Sequence, residues 1–323
     1  MDYNRLLGIC IPTYNRSNLL KDTLLGFIDQ VKHFRYPIFV SDDASADDTE
    51  ALVKDLMKVY PYIYYRKNKK NLGSGNFIKV IEMADTKYIW LFGDDDLIYE
   101  KSIERITDYL VADNIDYIVL NSTLFNSEMT TEVKEKNINI ENDRFYDTGE
   151  YSEVLRTVTE VNKFYIGVLS IMIVRKVDIE ETLNTLRNSY LLNLDFVNIP
   201  LYFLTIVNKR GIILSRQVIK RRASTSISGL NIHTYLYDFP EAVNSLKNHY
   251  DTRTLKKIKG DSLYYLGHAL SAKLHSVELS KKDMRVYIFQ NDNIHLHVKI
   301  IIIIILIIPA DLLRKFFRLL KLI

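Results

Sequence analysis

The chain's patterning predicts an α/β fold, a mostly parallel sheet with helices on both faces, followed by a C-terminal helical region. Three observations carry this prediction. Buried-strand runs alternate with helical-period segments three times between Leu6 and Ala84, each strand passes into its helix through a short polar loop, and a fourth strand ends in three consecutive acids.

The first unit is a strand over residues 6–11 ended by Pro12, a polar loop at Thr13 to Arg16, and a helix over 17–31 whose Leu20, Leu24, Ile28 and Val31 form one apolar stripe. The second is a strand over 38–40, an acidic loop over 41–48, and a helix over 49–60 with Leu52, Leu56 and Val59 on one face. The third runs from a strand over 63–65 through the glycine-rich loop 71–76 into a helix carrying Phe77, Val80, Ile81 and Ala84. Residues 88–92, aromatic and β-branched, form the fourth strand. In such a sheet the loops that follow the strands gather at one edge, where ligand crevices form.

Asp94, Asp95 and Asp96 therefore stand at a strand's C-terminal end. Two like charges about 4 Å apart repel by ~1 kcal/mol in water and ~4 kcal/mol at an effective dielectric of 20, so the cluster calls for a cation. Its hard oxygen ligands suit Mg²⁺ or Mn²⁺ rather than zinc. A solvated acidic turn is the competing reading, and the loops upstream weigh against it.

Composition narrows the class. At 323 residues, 47% apolar and 26% charged, the chain has ample core, and a net charge of +3 implies no nucleic-acid partner. The single cysteine, Cys10, lies in an apolar run and gives no disulfide framework, and no charged-then-apolar leader precedes the first strand, so a cytoplasmic enzyme body is expected. The seven histidines form no metal-ligand spacing; His295 and His297 lack a third partner.

The ordered set IPTYNR (11–16), VSDDASADDT (40–49), KNLGSGN (70–76) and WLFGDDDLIY (90–99) resembles the nucleotide-sugar half of family 2 glycosyltransferases, inverting enzymes of the GT-A fold. The likeness is close over the first third of the chain and looser to about Arg222. It implies a GT-A (Rossmann-like) domain that binds a nucleotide-diphosphate sugar, most simply a UDP-sugar. By that resemblance Thr13 and Tyr14 form the loop under the base, with the Tyr14 ring stacking on it, and Pro12, Asn15 and Arg16 join them in binding the nucleotide sugar. Asp43, beside Asp42, hydrogen-bonds the base, and Asn71, Gly73 and Asn76 line the donor pocket. Asp94 and Asp95 face the ribose and bridging waters, and Asp96, with Asp94, holds Mn²⁺ or Mg²⁺ on the diphosphate. The glycine loop is neither a Walker motif nor a dinucleotide fingerprint.

Further on, residues 101–112 read as an amphipathic helix and 117–120 as a strand, while 121–149 is polar with no readable function. Residues 164–174 form an apolar run read as a strand or hairpin on the acceptor side, and 190–207 as an apolar helix interrupted by Asn193, Asp195 and Asn198. Inverting transfer needs a carboxylate opposite the leaving group, and Asp195 is the candidate base. The family's usual preceding glutamate is Leu194 here, and Asp195 as a helix cap or kink is the competing reading; Asp178, Glu180 and Glu181 are its rivals. The basic stretch 209–222 is either a solvated edge or places Arg221 or Arg222 ahead of a lid, residues 223–229, closing over the diphosphate.

Helical patterning then runs through 239–250, 255–274 and 282–290. The aliphatic run 300–308 reaches about 13 Å as a helix against a hydrocarbon core of ~30 Å, so it does not span a bilayer alone. After Pro309, Asp311, Arg314, Lys315, Arg318 and Lys321 fall opposite Leu312, Leu313, Phe316, Phe317, Leu319, Leu320 and Ile323, the pattern of a helix lying in an anionic membrane surface. The expected organisation is a glycosyltransferase domain over 1–222, a helical region over 223–297 and a membrane-surface tail over 298–323. The expected activity is metal-dependent transfer of a sugar to a glycan or lipid-linked saccharide hydroxyl in surface polysaccharide synthesis, at the inner face of the cell membrane. A catalytically silent scaffold of the same fold is the alternative. A sugar nucleotidyltransferase is the weaker one, because Pro12-Thr13-Tyr14 is not the glycine-rich basic loop it needs.

Overall fold

The computed structural model describes residues 3–223, 238–260 and 296–309, together with 311, 312 and 315. It divides into two units, one of residues 1–193 and 197–224 and one of 194–196 and 225–323.

The first unit is built on one sheet. Strands β1 (Leu7–Thr13), β2 (Ile38–Asp42), β3 (Ile63–Lys67) and β4 (Tyr88–Leu91) are followed by the short β5 (Leu97–Ile98), then β6 (Tyr117–Phe125), β7 (Glu132–Lys134), β8 (Arg144–Tyr146), β9 (Met172–Arg175) and β10 (Gly211–Arg222). Their order is β3-β2-β1-β4-β9-β6-β10-β5, with β7 on β6 and β8 on β10. β1, β2, β3 and β4 pair in parallel, as do β6 and β10, but β9 lies antiparallel between β4 and β6. The α/β expectation holds, with this inserted strand joining two parallel halves.

Helices α1 (Ser17–Val31), α2 (Thr49–Val59), α3 (Gly75–Met83) and α4 (Ser102–Ala112) follow the strands as their periodicity predicts. Leu20, Leu24 and Val31 of α1 are fully buried with Ile9, Ile11, Trp90 and Phe92 in one core, while Leu52 is partly buried and Val59 is exposed. Phe27 meets both Trp90 and Phe92 edge-on, centroids 5.5 and 4.7 Å apart, a favoured aromatic geometry.

Four expectations are corrected. β1 runs on through Pro12 to Thr13. The carbonyl of Cys10 accepts from Phe92 and that of Thr13 from Asp43, so alternate residues face β4 and Pro12 lies on the β4 side, where β4 has already ended and no N–H is needed. Residues 163–171 are two short 3₁₀ turns, and only Met172–Arg175 is strand. The helix expected over 190–207 is a 3₁₀ turn at Tyr190–Asn193, a turn through Asp195, and α7 (Asn198–Thr205), after α5 (Tyr151–Thr159) and α6 (Lys176–Leu186). Pro200 explains the break, since its ring opposes the carbonyl four residues earlier. Finally, the unreadable segment 121–149 is tied down by polar contacts. Asn121 Oδ1 accepts from the N–H groups of Asn137 and Ile138, and Asp143 takes Arg105, Tyr109 and Ser215.

In the second unit α8 (Phe239–Asn244) and α9 (Thr252–Lys259) are joined by Lys259 Nζ donating to Asn244 Oδ1, and α10 (Leu296–Ile307) carries the aliphatic run. No described helix is long and apolar enough to cross a membrane. The lid expected beyond Ala223, the helices expected over 261–274 and 282–290, and most of the amphipathic face after Pro309 lie outside the described residues.

Candidate active site

The C-terminal ends of β1, β2 and β4 and the N-terminus of α3 enclose a cavity of about 370 Å³. Its lining includes Pro12, Thr13, Tyr14, Arg16, Asp43, Asn71, Gly73, Asn76, Asp94 and Asp95, all expected from sequence, together with Phe77, Gly93 and Leu169, which were not. Four loops far apart in the chain meet here because parallel strands deliver their C-terminal ends to the same edge.

The acids are held from several sides. Thr13 Oγ1 donates to Asp94 Oδ2 at 2.8 Å, and Arg16 Nη1 donates to Asp94 Oδ1 at 2.9 Å and Asp95 Oδ2 at 3.1 Å. Thr23 Oγ1, on α1, reaches the carbonyl oxygens of Asp94 and Asp96 at 3.1 and 2.8 Å, fixing the turn itself. Asp96 lies beneath the cavity lining: Oδ2 accepts from Ser170 Oγ at 2.8 Å and Oδ1 from the Arg222 backbone N–H at 3.2 Å.

Burial dominates the electrostatics. It pushes the Asp94 carboxyl up to about 6, against the pull of Arg16, and the Asp96 carboxyl up to about 7, with the Asp95 charge adding to the rise. Arg16 in turn is held more firmly protonated by Asp94.

These residues fit a hard divalent cation. A Cβ placed on Gly93 would stand 3.2 Å from Asp95 Oδ1 and 3.4 Å from Asp96 Oδ2, so two carboxylate oxygens converge over a position that carries no side chain. Asp94, by contrast, has both oxygens engaged by Thr13 and Arg16. Among the described residues there is no preformed cluster of three metal-ligating side chains.

Asp43 and the glycine loop form one unit. Asp43 Oδ1 and Oδ2 both accept from Leu72 N–H at 2.9 Å, and Oδ2 also from Gly73 N–H at 2.9 Å. Gly73 has φ +58°, a backbone conformation that favours glycine. Asn76 spends its amide on Ser41 and Asn68, so it braces the pocket from behind.

Asn15 and Asp42 do not line the cavity. The Asn15 side chain accepts from Ala46 N–H and its backbone donates to Ser45, holding the acidic loop, while Asp42, fully buried, accepts from Tyr65 and from Ser45 N–H. Arg221 and Arg222 are the last two residues of β10. Arg222 Nε donates to the Asp95 carbonyl at 3.1 Å, and Arg221 lies over the Tyr165 ring, 5.4 Å from its centroid. Asp195 belongs to the second unit, where its N–H donates to Asp238 Oδ2 at 3.2 Å. Of its rivals, Asp178 accepts from Lys209 and Glu180 from Lys176, and none of the three lines the cavity.

A family model described as glycosyl transferase family 2 matches residues 8–193, more than half of the chain. The chain belongs to glycosyl transferase family 2. Abequosyltransferase RfbV of Salmonella typhimurium is 37% identical over 108 residues, 32% of each chain. Poly(ribitol-phosphate) beta-N-acetylglucosaminyltransferase TarP of Staphylococcus aureus is 26% identical over 117 residues, 35% of each. The chain thus spans about a third of the length of the curated relatives it matches. Family 2 membership extends to the fold: S. aureus TarS 1–349 in complex with UDP-GlcNAc superposes with TM-score 0.60 at 12% identity, covering 90% of this chain and 82% of that one.

Proposed function

We propose that this family 2 member is an inverting glycosyltransferase that moves a sugar from a UDP-sugar to a hydroxyl of a glycan or lipid-linked saccharide in surface polysaccharide synthesis. The observation that carries the reading is the cavity in which Tyr14, the Asp43-braced loop, Asp94 and Asp95 face one space. Tyr14, 45% exposed, leaves a ring face open for a base. The relatives add support for the class. RfbV and TarP are named as sugar transferases, a further match is named GalNAc(5)-diNAcBac-PP-undecaprenol beta-1,3-glucosyltransferase, and TarS binds UDP-GlcNAc.

Asp95 and Asp96 would hold Mn²⁺ or Mg²⁺, whose charge stabilises the diphosphate as it leaves. The chain's own residues do the rest. Thr13, Thr23 and Arg16 fix the acidic turn, and the loop at Asn71 to Gly73 bounds the donor. Asp195 takes the proton as the acceptor oxygen bonds the anomeric carbon and the carbon–diphosphate bond breaks on the opposite face. The basic tail after Pro309 seats the enzyme on an anionic cytoplasmic membrane surface, near a lipid-linked acceptor.

The test is thermal stability against UDP, CDP, dTDP and GDP, each with Mn²⁺ or chelator, for the wild type and Asp96→Asn. A ligand at 100 times its dissociation constant stabilises by ~2.7 kcal/mol. The expected result is a shift with UDP that needs both Mn²⁺ and Asp96. No shift with any nucleotide would favour a silent scaffold instead.

A further inference from the structure

Ser170 is fully buried and sits in the middle of the apolar run that leads into β9. Its hydroxyl oxygen accepts from Gly93 N–H at 3.0 Å. That bond orients the hydroxyl, and its hydrogen is directed to Asp96 Oδ2, 2.8 Å away. Its carbonyl is fixed as well, accepting from Trp90 Nε1 at 2.7 Å. The serine is therefore bonded at three points to the strand and turn that carry the acids: the last part of β4, the glycine, and the third aspartate.

The opposite oxygen, Asp96 Oδ1, accepts from Arg222 N–H at 3.2 Å. One bond on each oxygen sets the plane of the carboxylate, and Oδ2 stands beside Gly93, where Asp95 Oδ1 also arrives. Thr23 acts differently, because it bonds the backbone carbonyls of the turn and leaves the carboxylate direction unset.

We propose that Ser170 is the positioning residue for the Asp96 carboxylate, orienting it toward a divalent cation shared with Asp95; this rests on reading the cavity as a cation-dependent nucleotide site. Such partners of a ligating carboxylate fix its direction, and their loss typically weakens metal binding by about 10–100-fold. Ser170 acts through Asp96 and does not touch the donor.

The experiment measures Mn²⁺ binding by electron paramagnetic resonance in the presence of UDP, and UDP binding by calorimetry in chelator, for the wild type and Ser170→Ala. The expected result is Mn²⁺ affinity weakened by about 10–100-fold with cation-free UDP affinity within about twofold. Unchanged Mn²⁺ affinity in Ser170→Ala overturns the proposal, and so does an equal loss of both affinities, which is what general damage to the fold produces. If Ser170→Ala does not fold, Ser170→Cys, similar in size but a weak donor, takes its place and the same split decides. A wild type that binds UDP but no Mn²⁺ overturns the cation site and this proposal together, whereas wild-type Mn²⁺ binding that Ser170→Ala leaves intact overturns the proposal alone.

Discussion

Both carboxylate oxygens of Asp43 accept from the backbone N–H of Leu72, and one of them also holds Gly73. The acid at the end of β2 thereby fastens the loop that follows β3, and the donor cavity owes its far wall to that bond. In Asp43→Asn one acceptor oxygen becomes an NH₂, so the donors that meet both oxygens, Leu72 and Gly73 N–H on one and Asn68 Nδ2 on the other, cannot all be satisfied. Leaving buried donors unpaired costs ~1–3 kcal/mol, so chemical denaturation should register a loss of that size together with weaker UDP binding. Full stability in the variant would separate the loop from Asp43.

Arg16 bridges Asp94 and Asp95 and is the counter-charge of the cation-free site. Its guanidinium is half exposed, so solvent screening limits the pair, and Arg16→Gln should cost only ~1 kcal/mol without cation. Asp94 then rises further above its value of about 6. Saturating Mn²⁺ supplies the missing positive charge, and melts with and without it should show the deficit shrinking. A deficit of the same size in both would remove Arg16 from that role.

The raised carboxyls of Asp94 and Asp96 have a defined pH signature. Each holds its proton in the folded state at pH values where the unfolded chain has lost it. Their contribution to stability is therefore fully present below the unfolded value near 4 and is lost as pH rises through about 6 to 7. Cation binding runs the other way, since protons compete for the same oxygens. Mn²⁺ affinity should climb from pH 5.5 to 7.5 with proton release measurable in calorimetry; a flat profile would mean that Asp96 does not bind the cation.

Periodicity placed helices α1 to α4 and the first four strands because each buries one face, and that requirement is written in the spacing of apolar residues. The resemblance carried by the ordered loops supplied ten of the cavity's residues, since those motifs sit at strand ends that the sheet brings to one edge. What escaped depended on partners distant in sequence. Asp42 and Asp43 are adjacent acids, yet one is buried against Tyr65 and the other clamps a loop, a difference set by the alternation of β2. Ser170 and its apolar neighbour Leu169 reach the site only because β9 runs back antiparallel beside β4, and no local pattern distinguishes that from a hairpin.

Helix α10 leaves Ile300, Ile301, Ile304 and Ile307 between 42 and 73% exposed, beside Lys299 on the same helix. Aliphatic area of this kind partitions into a bilayer interface, and the cations after Pro309 favour anionic headgroups. Sedimentation with vesicles containing anionic lipid should capture the full chain and release it at high salt. Deleting residues 311–323 should lower capture strongly, and Ile304→Glu partly. Equal pelleting of all three proteins would refute a membrane-seated tail.

Asp195 lies in the turn before α7, where Pro200 keeps the helix from starting earlier, and its N–H is taken by Asp238. Asp195→Asn keeps the shape and removes the proton acceptor, so turnover of a UDP-sugar with a lipid-linked saccharide should fall by about 10²–10⁴-fold, while Mn²⁺-dependent UDP binding stays unchanged. Loss of UDP binding as well would make Asp195 a structural turn residue. Full turnover would return the search for the base to the acids whose partners are now known, and there Asp178, paired with Lys209, would have to give up its ion pair to act.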